Sequence, residues 1–293
     1  MTQILEIVGN TPLVEINKLS SNPNVKIYGK LEGMNPGGSV KDRAALSMIK
    51  GALDRNELTS GTKLIEATSG NTGIALAMIA GIYGIDIELV LPENSTLERI
   101  LAMKAYGAKI TLTPQEKLME GAIDYVRNKV EGGGYVMLDQ FSNPDNPAAH
   151  YRGTGPEIWK TTNGQITHFV SAMGTTGTIM GVSGYLKEQS KNIQIVGVQP
   201  SEGSNIPGIR LWPKEYLPKI YNSARIDRII NVSAEQATTM TRKLAFTESI
   251  LAGMSSGGAV HAAVQLSKEL DKGFIVCTIC DRGDRYLSSG LFA

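Results

Sequence analysis

Cysteine and histidine are scarce in this chain: two of the former and three of the latter among 293 residues. Two cysteines build no disulfide framework, which fits a cytosolic setting. Cys277 and Cys280 do form a Cys-x-x-Cys, but inside the apolar run "GFIVCTIC", which has the composition of a buried strand. Residues three apart on a strand point to opposite faces, so the pair is expected to be buried and inert. His150, His168 and His261 stand apart from one another and from carboxylate pairs, and no metal site is assigned. Charge of one sign is also missing. The formal net charge is +1 and the 29 basic residues are scattered, which argues against a nucleic-acid or anionic-membrane surface. The start, "MTQILEIVGNTPLVEI", has neither the basic nor the apolar region of a secretory signal. The most apolar stretch, "GIALAMIAGIYGIDIELVLP", is broken by Gly81, Gly84, Asp86 and Glu88 and predicts a buried helix followed by a strand rather than a membrane span.

What the chain does contain is an alternation of short apolar runs and helical segments. "KLIEA" leads into "SGNTGIALAMIAGIYG", "IELVLP" into "TLERILAMKAYG", and "KITLT" into "EKLMEGAIDYVRNKV", with "YVMLD" after it. "NPDNP" (143–147) predicts a loop and a domain boundary. A second series runs from "THFVSAM" through "TTGTIMGVSGYLKEQ" and "IQIVGVQP" to helices near 234–246 and 257–270 and the strand "GFIVCTIC". This pattern predicts an α/β protein of two domains, each a mostly parallel sheet covered by helices, with a cleft between them. The strand-like "VKIYGKLE" fits either sheet.

Ligands of open α/β sheets bind beyond the carboxyl ends of strands, so the strand-to-helix turns matter most. "GTTGT" (174–178) has two glycines for close backbone approach, three hydroxyls, and a following helix whose N-terminus favours an anion. Lacking a lysine, it suits a monophosphate. "TSGNTG" (68–73) holds the equivalent place in the first series, with small donors suited to a carboxylate. Either motif alone is equally an ordinary tight turn with an N-cap. A third segment, "NPGGSVKDRAA" (35–45), places Lys41 after a glycine pair. It is not a nucleotide P-loop, because Asp42 stands where the Mg²⁺-binding hydroxyl would be. Ser39 is expected to cap the following helix, in a Ser-x-x-Asp box with Asp42. Lys41 then lies in the first turn, where the helix dipole disfavours an ammonium, as suits a lysine that forms a Schiff base. A solvated lysine opposite Asp42 fits this segment as well.

Taken together, "NPGGSVKDRAA", "EATSGNTGIALA", "GTTGT" and "SSGGA" resemble the β-family (fold type II) of pyridoxal-phosphate (PLP) enzymes, along nearly the whole chain. Within it the sequence is most similar to the cysteine synthases, or O-acetylserine sulfhydrylases. "DQFSNPDNPAAHYRGTGPEIW", "EGSNIPGIRLWP" and "CDRGDRYLSSG" point to the B type. The resemblance implies pyridoxal 5′-phosphate in the cleft, Schiff-based to Lys41. Gly174, Thr175, Thr176, Gly177 and Thr178 would hold its phosphate, Asn71 its 3′-oxygen and Ser255 its ring nitrogen. Thr68, Ser69, Asn71 and Thr72, with Gln140, would bind the substrate α-carboxylate. The implied reaction is β-replacement of O-acetyl-L-serine by sulfide or thiosulfate through an α-aminoacrylate, giving L-cysteine or S-sulfocysteine and acetate. A smaller domain of residues 1–12 and 36–145, a larger one of 13–35 and 146–293, a homodimer and a cytoplasmic location are implied with it. Arg210 suits an anionic sulfur donor, although Leu211 stands where a second basic residue is common in B-type sequences. Cystathionine β-synthases and serine/threonine dehydratases share the scaffold, and a silent amino-acid sensor is the rival of another class.

Overall fold

The computed structural model describes residues 3–59, 61–68 and 70–293. Two strands, β1 (Leu13–Glu15) and β2 (Val25–Leu31), precede helix α1 (Lys41–Asp54). There follow β3 (Lys63–Ala67), α2 (Asn71–Tyr83), β4 (Ile87–Pro92), α3 (Leu97–Ala105), β5 (Lys109–Thr113), α4 (Leu118–Glu131) and β6 (Tyr135–Val136). These four strands form one parallel sheet in the order β5-β4-β3-β6. β4 is buried at every position, as a central parallel strand covered on both faces should be. Its one acidic residue, Glu88, accepts hydrogen bonds from Thr111, Lys109 and Tyr135. Helix α2 is apolar nearly all round and packs into the core under this sheet.

The chain then passes through α5 (Asp145–Ala149), a π-helical stretch (His150–Thr154) and α6 (Gly155–Thr161). Next come β7 (His168–Ala172), α7 (Gly177–Gln189), β8 (Gln194–Pro200), β9 (Arg228–Val232), α8 (Ala234–Glu248), α9 (Met254–Ser267) and β10 (Gly273–Ile279). The second sheet has the order β1-β2-β10-β7-β8-β9, parallel except for β1. Early in the chain though it is, "VKIYGKLE" belongs here, because β2 pairs along its whole length with the last strand, β10.

Three local expectations are corrected. Ser39 does not cap α1. Residue 39 is held extended in a bridge to Asp281, and the Val40 N–H donates to the Cys280 carbonyl at 2.8 Å, so the helix cannot begin before Lys41. The Ser39 hydroxyl accepts from the Lys41 N–H at 3.2 Å, and Asp42 turns back to accept from the Gly37 N–H at 2.5 Å. Residues 143–147 are not a loop throughout. Pro144 and Pro147 sit at the cap and first turn of α5, where a missing N–H costs a helix nothing. "YVMLD" pairs only at its first two residues, since the chain leaves the sheet toward Asp139, which has φ 51°.

Candidate active site

Lys41 opens α1, and its wall of the molecule faces the carboxyl ends of β7 and β10. Lys41, Asn71, Gly174, Thr175, Thr176, Thr178 and Ser255 line a single pocket, drawing on α1, α2, the β7–α7 turn and the start of α9. Among the described residues no carboxylate lines it. Gly208 and Cys280 belong to the wall as well, with Val40, Ser171, Ala172 and Thr278. Cys280 thus departs from the expected burial, although desolvation pushes its thiol up as an inert cysteine requires. β10 ends at Ile279, which leaves Cys280 half-buried on the pocket side while Cys277 is sealed in the sheet, its thiol pushed by burial up to about 12.

The turn at 174–178 is built for close approach. A side chain at Gly174 would meet the Gly208 carbonyl, and the Trp212 indole N–H donates to the Gly174 carbonyl at 2.8 Å. Thr176, just before α7, has φ 71°, an unfavourable region for a β-branched residue. Its hydroxyl is buried and has no partner in the protein. A buried, unpaired hydroxyl held in strained backbone at a helix N-terminus is free to donate to a ligand.

Beside this cup lies a second polar group. The Thr72 hydroxyl donates to Gln140 Oε1 at 2.7 Å, and Thr68 is buried next to them on the same turn. Ser69 lies outside the described residues. Asn71 is more constrained than its motif suggested. Its Nδ2 donates to Asp281 at 2.7 Å, and Arg285 donates to its Oδ1. Each end of the amide keeps one further hydrogen or lone pair for a ligand. Asp281 in turn accepts from the Tyr286 hydroxyl at 2.6 Å. Asp281 and Arg285 carry no periodic or motif signal of their own; only "CDRGDRYLSSG" as a block marked them.

Arg210 is not brought into the Lys41 pocket. It lines an adjoining opening, with its guanidinium 5.2 Å from the Trp212 ring, and its backbone N–H is tied to the Met173 carbonyl at 3.0 Å.

A family profile described as "Pyridoxal-phosphate dependent enzyme" matches residues 4–281. The chain belongs to this family. Its cofactor is pyridoxal 5′-phosphate. The chain is similar to cysteine synthase B of Pseudomonas aeruginosa, 57% identical over 289 residues that span 99% of this chain and 97% of that protein. With cysteine synthase B of Salmonella typhimurium it shares 54% over 292 residues, 100% and 96% of the two chains. Among solved structures, a cysteine synthase from Entamoeba histolytica superposes with a TM-score of 0.95 at 37% identity, covering 100% of this chain and 90% of that one. The pocket fits the family's cofactor. An unpaired Thr176 hydroxyl and the start of α7 suit a phosphate, and the Lys41 side chain on the same pocket wall suits an aldehyde.

Proposed function

We propose that this enzyme works by β-replacement, exchanging the acetate of O-acetyl-L-serine for sulfide to give L-cysteine, or for thiosulfate to give S-sulfocysteine. The observation that carries this is the convergence of Lys41, the 174–178 cup and Ser255 on one pocket, next to the Thr72–Gln140 pair. The two relatives described above are named cysteine synthase B. When bound, PLP supplies the electron sink that lets a β-substituent leave and a nucleophile add.

The protein's own residues do the rest. Gly174, Thr175, Thr176, Gly177 and Thr178 would hold the phosphate, Lys41 would bind the aldehyde carbon, and Asn71 would meet the 3′-oxygen with its spare amide hydrogen. Ser255, buried in the first turn of α9, meets the ring nitrogen with a neutral hydroxyl rather than a carboxylate. Thr68, Ser69, Asn71, Thr72 and Gln140 grip the substrate carboxylate. That grip fixes Cα within reach of Lys41, which takes the Cα proton and later returns it. Arg210 meets the donor anion from the adjoining opening.

The two sheets with their separate apolar cores support a division into residues 1–12 with 36–145, and 13–35 with 146–293. A cytoplasmic homodimer is the assembly this function carries. No helix among the described residues is long and apolar enough to cross a membrane.

The test is side-by-side turnover of O-acetylserine with sulfide and with thiosulfate, following acetate, cysteine and S-sulfocysteine. Absence of acetate release with both donors would overturn the proposal. Arg210→Ala should lower kcat/KM for thiosulfate about ten- to a hundredfold and spare sulfide. Equal losses with both donors would make Arg210 a support of its loop.

A further inference from the structure

Beneath the phosphate cup runs a layer that the reaction described above does not use. Asn146 and His150 lie four residues apart, on α5 and the π-helical stretch that continues it, and both are buried. They face α7 at two glycines that are also four apart. A Cβ at Gly177 would collide with the Asn146 side chain, and one at Gly181 would collide with the Pro147 carbonyl and His150. The two helices are therefore packed too closely for the polar side chains between them to turn elsewhere.

Asn146 Nδ2 donates to the Gln140 carbonyl at 2.7 Å and to the Thr175 hydroxyl oxygen at 3.1 Å. A carbonyl only accepts, so this pairing fixes which end of the amide faces the cup. The Thr175 oxygen also accepts a longer contact from the Gly177 N–H, 3.4 Å. With both lone pairs occupied, the Thr175 hydrogen is left for the pocket that Thr175 lines. His150 repeats the device one turn on. Its Nε2 is 3.3 Å from the Thr178 hydroxyl and its Nδ1 2.9 Å from that of Thr154. When Nε2 carries the ring hydrogen, Thr178 accepts it and keeps its own hydrogen for the pocket.

We propose that Asn146 and His150 are positioning residues that aim the hydroxyl hydrogens of Thr175 and Thr178 at the cofactor phosphate. This rests on 174–178 being the phosphate cup. Asn146 also ties that cup to Gln140, so one side chain sets the spacing between the phosphate group and the substrate-carboxylate group.

The test compares full-length wild type, Asn146→Ala and His150→Phe, freed of cofactor by dialysis and titrated with pyridoxal 5′-phosphate and with pyridoxal. Loss of an aimed hydrogen bond to a charged group should weaken the phosphorylated ligand about ten- to a hundredfold. Pyridoxal, which has no phosphate, should bind nearly as before. The ³¹P resonance of the bound cofactor should move in both variants, and His150→Gln, which restores a donor, should recover most of the affinity. Should either variant fail to fold, the uncharged Asn146→Leu or His150→Leu, neither of which offers its threonine a donor, serves instead and should show the same selective loss. Equal weakening of both ligands, or an unchanged affinity for the phosphorylated one, would overturn the inference. Thr175→Val and Thr178→Val separate the two levels. If these leave affinity intact, the cup itself is misassigned; if they reduce it while the Asn146 and His150 variants do not, only the positioning role falls.

Discussion

Lys41 is useful because of what surrounds its first turn. The backbone at 39–40 is pinned to Asp281 and Cys280, so the amine emerges at a fixed point on the pocket wall. Asp42, its immediate neighbour, is buried and turned away to Gly37, with burial pushing its carboxyl up to about 7. The lysine therefore has no adjacent carboxylate competing for it on the pocket side. Lys41→Ala should still bind the cofactor phosphate, but borohydride should no longer attach the cofactor to the chain, as peptide mass analysis would show. Turnover should fall by about 10²–10⁴ for loss of the base alone. With Ser255 at the ring nitrogen, as proposed, Ser255→Asp would set an anion against that nitrogen and favour its protonation. Acetate release in a single turnover should slow, and the cofactor's visible absorption should change. Identical spectra and rates would remove Ser255 from the ring nitrogen.

Among the elements, α1 is the one whose placement decides the site, and it is held from its buried face. Arg43 donates to Glu32 on one side at 2.7 Å and to Glu157 at the start of α6 on the other at 2.6 Å. Lys30 on β2 reaches the second Glu157 oxygen at 2.6 Å. Arg43→Ala would leave those carboxylates buried without their main partner, at a cost of about 3–5 kcal/mol. Urea unfolding should show this as a lower midpoint, with turnover lost alongside as α1 shifts. None of this network was legible in the sequence, because its members lie 11 to 127 residues apart. Strands and helices with strong periodicity were legible: "IELVLP" and "KITLT" are β4 and β5 as written, and "IQIVGVQP" is β8 but for its first residue. The weak points were elements that tertiary contacts define. β9, "RIINV", went unread because three of its five residues are exposed. Residues 143–147 looked like a break because prolines mark helix starts as well as loops. At the site, the lysine and both strand-to-helix turns proposed to bind anions carried local motifs. Asn146, His150, Asp281 and Arg285 act through contacts that no spacing announces.

At the scale of the whole molecule, buried carboxyls pull stability in opposite directions with pH. Burial raises Glu157, but Arg43 and Lys30 outweigh it and hold the group down at about 2. Its contribution is present above the unfolded carboxyl range and is lost as pH falls toward 2. Glu66, on β3, behaves in the opposite way. Burial first, and the neighbouring Asp139 second, raise it from 4.5 to about 8, while the Asp139 N–H donates to it at 3.2 Å. The unfolded chain gives up this proton near 4.5 and the folded chain keeps it until about 8, so the unfolded state binds fewer protons between those values. Stability from Glu66 is thus complete below the unfolded value and declines as pH rises toward 8. Asp42, raised to about 7, adds a decline of the same sign. Glu66→Gln keeps an acceptor for the Asp139 N–H and removes the ionisation. Urea midpoints at pH 5, 7 and 8.5 should fall less steeply for this variant than for wild type, with the residual slope set by Asp42 and, in the opposite sense, by His150, His168 and His261, which burial pushes down. Parallel slopes would mean that Glu66 ionises in the folded protein as it does in the unfolded chain, and that water reaches the end of β3.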